Sequence, residues 1–74
     1  MDDYKERMVR EYTELKDKYN KLHRIIVKYE AGTLTFTPNC SIDILKCQAK
    51  AMYEYLYILE VRGEIEKVHL DLME

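Results

Sequence analysis

Met8, Tyr12, Leu15, Tyr19, Leu22, Ile26 and Tyr29 step along the chain by four and three residues in strict alternation. That spacing returns each apolar side chain to one face of a helix, and it predicts a heptad seam on a helix over about residues 4–30. The interval holds no Gly or Pro and is rich in Glu, Lys, Arg and Leu, all good helix formers. Asp2 and Asp3 stand where an N-cap and negative charge favour the positive end of a helix dipole. Lys28 falls in the last turn, and Gly32 can take the left-handed position that ends a helix. Off the seam, Glu14 with Lys18 and Asp17 with Lys21 are spaced to pair across one turn, for about 0.2–0.5 kcal/mol each.

The pattern changes in Gly32-Thr33-Leu34-Thr35-Phe36-Thr37-Pro38-Asn39-Cys40, where β-branched residues and a proline argue against helix. A connector over residues 31–40 is expected. Alternation turns Leu34 and Phe36 to one side, where both are expected to close the end of the core. Ser41 then caps a second helix with Asp43 in its first turn, running over about residues 42–72.

Apolar positions wrap much further around this second helix. One seam runs Leu45, Ala49, Met52, Leu56 and Leu59, and a neighbouring one runs Ile44, Gln48, Ala51, Tyr55, Ile58, Arg62 and Ile65. Two seams need two partners. A connector of this length returns the chain antiparallel, so helix 1 covers one seam and another surface must cover the other. The fold expected is all-α: an antiparallel two-helix hairpin, one domain, assembling into a homo-oligomeric helical bundle as a dimer, tetramer or larger. Gly63 interrupts the second helix at a cost of about 1 kcal/mol relative to Ala, so a kink or a very close contact is expected there. Ile65, Val68 and Leu72 keep helical spacing beyond it.

Size strengthens the case for assembly, since a chain of 74 residues builds a core that is marginal alone. Only two cysteines, Cys40 and Cys47, are present, and neither lies in a metal-binding or redox motif. Twelve basic and fourteen acidic side chains nearly cancel, which argues against nucleic acid or an anionic membrane as a partner. No apolar run is long enough to span a bilayer, and the polar start is unlike a secretory signal. An intracellular protein with reduced thiols is expected.

Motifs for catalysis are missing: there is no GxSxG, P-loop, GxGxxG, HExxH or EF-hand pattern. Cys47 has no neighbour in sequence that would activate it, and His23 and His69 are read as surface residues. No enzyme activity, cofactor or metal is expected. Anion binding is better supplied. Lys21, Arg24 and Lys28 form a stripe on the first helix, and Lys46, Lys50, Tyr53 and Tyr57 form one on the second, at similar heights in a hairpin. At the open end Arg7 and Arg10 come level with Arg62, with Tyr4 and Tyr12 within a turn or two. Arginine gives bidentate phosphate contacts and tyrosine a flat face for a base. Gln48 and Arg62 interrupt an apolar seam, where they fix register or touch a ligand. The candidate ligand-binding residues are Arg7, Arg10, Tyr12, Arg24, Gln48, Lys50, Tyr53, Tyr55 and Arg62.

The run Gln48, Ala51-Met52, Tyr55-Leu56 and Ile58-Leu59 with Arg62, preceded by Glu6-Arg7-Met8, Glu11-Tyr12, Glu14-Leu15-Lys16 and Lys21-Leu22, resembles a family of small helical-hairpin proteins of tailed bacteriophages, crAss-like phages included. The resemblance covers roughly residues 4–65. It implies a phage protein acting in the cytoplasm of the infected bacterial host. It further implies a sponge that sequesters, without cleavage, the cyclic or ADP-ribose-derived nucleotides by which CBASS and Thoeris defences signal infection. In that reading arginine and lysine hold phosphates, tyrosine stacks on a base, and burial between subunits slows release. The alternative is a helical adaptor that inhibits a host or phage protein through its exposed seam.

Overall fold

Helix formers run without interruption through the first third of the chain, and in a computed structural model they form α1, Asp3–Ala31. The structure describes residues 3–70, so the capping role expected of Asp2 lies outside it. At the other end of α1, Gly32 takes a φ of 80°, its N–H donates to the Tyr29 carbonyl, and the Thr33 N–H donates to the Lys28 carbonyl. This is a Schellman stop, which glycine enters without the steric cost a Cβ would bring. The connector from 33 to 41 contains no strand. Ser41 ends it: its hydroxyl accepts from the Ile44 N–H at 3.2 Å and starts α2, Ile42–Glu66.

α2 returns antiparallel along α1. Pairs that touch across the groove set the register: Glu30 with Lys46, Tyr19 with Tyr53, and Tyr12 with Glu60. The first seam of α2 faces α1 as the heptad pattern predicts. Ala49, Leu56 and Leu59 are buried there, and Leu45 and Met52 are half-buried. From α1 come Met8 and Tyr12, buried, with Leu15, Tyr19, Leu22 and Ile26 half-buried; Tyr29, the last seam residue, is exposed.

Two expectations need correction at the ends of the hairpin. Phe36 does not plug the core; it is 55 % exposed and borders an open groove with Tyr29 and Pro38, while Leu34 is half-buried. The core is closed instead at the opposite, open end, by a tail that the sequence pattern had placed in helix. α2 stops at Glu66: Lys67 adopts left-handed backbone, φ 59° and ψ 41°, and the Val68 N–H donates to the Gly63 carbonyl at 2.9 Å. Val68 and Leu70 then fold back and are buried with Met8, Tyr12, Leu56 and Leu59. Gly63 permits this return, because a Cβ there would lie 2.9 Å from Leu70 Cδ1 and 3.3 Å from the Val68 carbonyl oxygen. Its role is the close contact rather than a kink. The helical placement expected for Leu72 lies outside the described residues.

The neighbouring seam of α2 is left bare. Ile44 is 58 %, Ile58 51 % and Ile65 72 % exposed, with Val61 and Tyr55 also open to solvent. Among the described residues no helix is long and apolar enough to cross a membrane.

Candidate functional site

The groove between the helices has two edges of different chemistry. On the first, the Tyr19 ring stacks on His23 with centroids 5.6 Å apart and 17° between planes, and meets Tyr53 of α2 at 6.1 Å. Helical spacing of three and four puts Lys46, Lys50, Tyr53 and Tyr57 on this edge of α2. Lys46 is held by Glu30 at 2.5 Å, and hydrogen bonding to that carboxylate, with its charge, raises the Lys46 pKa. Because Lys46 lies level with Glu30 and Tyr53 with Tyr19, Lys50 between them lies opposite the His23 to Val27 turn. On the outer flank of that turn Asn20, His23, Arg24 and Val27, all of α1, line an open groove of about 310 Å³. Tyr53 and Tyr57 are 60 % and 62 % exposed, so their ring faces are available to stack. Lys50, Tyr53 and Tyr57 are thus brought to the edge on which His23 stands, whereas Arg24, midway between the seam residues Leu22 and Ile26, lies on the outer surface of α1.

Toward the open end the same edge is used structurally. Tyr12 is 1 % exposed, its hydroxyl donates to Glu60 at 2.8 Å, and Lys16 Nζ donates to the Tyr12 oxygen at 3.3 Å. Proposed from the sequence as a ligand contact, Tyr12 is a core residue whose ring has no free face for a base.

On the second edge, Tyr55 donates its hydroxyl to the Glu11 carboxylate. That hydrogen bond, with some desolvation, raises the Tyr55 pKa by favouring the protonated phenol. Two and three turns on, Arg62 Nε donates to Glu66 at 3.3 Å, and Tyr4 also hydrogen-bonds Glu66. The Tyr4 hydroxyl, then Arg62, hold the Glu66 carboxyl below the usual carboxylate range. Gln48 is exposed on the same seam as Tyr55 and Arg62. Arg7 is exposed on the flank of α1 that faces this edge, whereas Arg10 lies on the outer surface of α1, away from α2. The candidates therefore do not form one cluster. Lys50 and Tyr53 share the aromatic edge; Gln48, Tyr55 and Arg62 share the apolar one; Arg10 and Arg24 stand outside both.

Tyr19 and His23 were read from sequence as a seam residue and a surface residue. Their spacing of four on one helix face was the available signal for stacking, but the contribution of Tyr53 depends on register between helices. Among the described residues, no group of three or more His, Cys, Asp or Glu side chains is placed to hold a metal ion, and both cysteines are exposed free thiols.

Comparison with known families bears on this arrangement directly. The Sequestin family model matches residues 2–65. The chain belongs to the Sequestin family. The match runs through α1, the connector and α2 up to its last turn, so it includes both edges of the groove and stops before Val68 and Leu70 of the folded-back tail. The family's name suggests the binding or sequestration of something. No curated protein and no solved structure gives a match.

Proposed function

We propose that this member of the Sequestin family is a phage immune-evasion protein that binds a cyclic or ADP-ribose-derived nucleotide signal and withholds it from a bacterial defence such as CBASS or Thoeris, without cleaving it. It acts in the cytoplasm of the infected host and self-associates through the bare seam of α2. The observation that carries the ligand reading is the aromatic edge, where the open faces of Tyr53 and Tyr57 share one stripe of α2 with the exposed Lys46 and Lys50. Tyr53, with Tyr57 or His23, stacks on a base, and Lys50 meets the phosphates; base stacking of this kind contributes about 1–3 kcal/mol per base. Family membership supports holding over turnover.

A thermal-shift panel of cyclic di- and trinucleotides and cyclic ADP-ribose isomers tests it. A ligand present at a hundred times its Kd stabilises the folded chain by about 2.7 kcal/mol, which for a domain this small raises Tm by on the order of 10–20 °C. Tyr53→Ala lowers that shift while leaving the Tm of the free protein nearly unchanged, since the ring is exposed. No shift with any ligand of the panel refers the function to the adaptor reading.

A further inference from the structure

We propose that two copies pair through the Ile44–Ile65 faces of their α2 helices, antiparallel and two-fold symmetric about Tyr55. The proposal rests on the self-association stated above and assigns its geometry.

Along the bare face of α2, positions 44, 48, 51, 55, 58, 62 and 65 advance by four and three in alternation. Read backwards the same positions advance by three and four, so a second copy running the other way meets the seam in register. Ile44 then falls opposite Ile65, Gln48 opposite Arg62, Ala51 opposite Ile58, and Tyr55 lies at the axis. Each pairing is chemically matched. Large Ile58 meets small Ala51, which lets the backbones approach. The polar exceptions meet each other: the Gln48 carbonyl accepts from the Arg62 guanidinium, twice per pair.

The parallel arrangement sets Arg62 against Arg62 and Ala51 against Ala51, leaving like charges opposed and a gap beside them. Charge and volume thus both select the antiparallel form. The exposures of Ile44, Ile58 and Ile65 show the face open in one copy. α1 does not obstruct it, because the seam that holds α1 lies roughly 100° around the helix. Tyr55, at the edge of this face, is held by the bond from its hydroxyl to the Glu11 carboxylate of α1. A face built this way is isologous and closes on itself as a dimer. It also leaves Lys50, Tyr53 and Tyr57 uncovered, with one aromatic edge on each copy.

Sedimentation equilibrium of the unaltered chain comes first, followed by crosslinking with a short bismaleimide. Ile44→Cys and Ile65→Cys are each made in a background carrying Cys40→Ser and Cys47→Ser. The antiparallel dimer crosslinks when the two variants are mixed and not when either is alone. Arg62→Glu weakens dimerisation at least tenfold, and Gln48→Lys with Arg62→Glu recovers it, by restoring a complementary pair. A chain that stays monomeric at all concentrations overturns both the pairing and the self-association it rests on. Crosslinking of Ile44→Cys with itself, or a dimer that the mixed variants fail to crosslink, overturns the pairing alone.

Discussion

At the scale of single residues, tyrosine hydroxyls join α1 to α2 through carboxylates, and two of these bonds carry a pH dependence of known sign. Tyr12 donates to Glu60 from inside the core, Tyr55 donates to Glu11, and Tyr4 hydrogen-bonds Glu66. Hydrogen bonding to Glu11 raises the Tyr55 pKa above its unfolded value, so its contribution to stability is fully present below about pH 10 and is lost as pH rises through the folded value. Glu66 is shifted the other way: its contribution is present above about pH 4.3 and is lost as pH falls through the lowered folded value. Thermal melts across pH should show Tyr55→Phe removing part of the alkaline decline and Glu66→Gln part of the acid decline. An unchanged alkaline limb in Tyr55→Phe would show that this bond does not persist in solution. Both groups are largely open to water, so the slopes are small.

At the scale of elements, the helices and the caps between them were legible in the chain, and the end of α2 was not. The seam from Met8 to Ile26 follows from spacing alone, because a helix has one geometry and few ways to bury that stripe. Ser41 and Gly32 were legible as caps for the same reason: their chemistry is local. The tail was misread because Val68 and Leu72 fit helical spacing, and a left-handed lysine at 67 gives no compositional signal. Phe36 was misread because alternation fixes which side it shares with Leu34, not where the core ends. Gly63 and Leu70 make the tail testable. Adding a methyl at Gly63 returns about 1 kcal/mol of helix propensity, while overpacking against Leu70 costs roughly 1–3 kcal/mol, so Gly63→Ala should destabilise by about 1 kcal/mol. Leu70→Ala should cost about 2–3 kcal/mol through lost burial. In that background Gly63→Ala should become stabilising, because the methyl now has room. Denaturant unfolding of the four proteins measures the coupling, and additive losses would mean that the tail does not dock on Gly63.

At the scale of the whole molecule, the hairpin divides its surface chemistry between the two edges of α2. Apolar side chains with matched polar exceptions occupy one edge, and stacked rings with cations occupy the other. That α2 carries too much apolar surface for a single partner was legible from its two seams. Which residues meet across the groove was not, since the pairing of Tyr19 with Tyr53 and of Glu30 with Lys46 depends on the register in which the connector returns the chain. Tyr12 illustrates the same limit: its heptad position marks it as core, yet its chemistry alone equally suited a ligand face.

The central claim is that the aromatic edge holds a nucleotide intact. Its most direct measurement is equilibrium titration with cyclic ADP-ribose isomers and cyclic dinucleotides, followed by heat denaturation of the complex and chromatography of what is released. The account predicts saturable binding of at least one of these compounds, weakened about 5- to 150-fold by Tyr53→Ala, and recovery of the nucleotide unchanged. Recovery of a cleaved product, or binding that Tyr53→Ala leaves untouched, would contradict it.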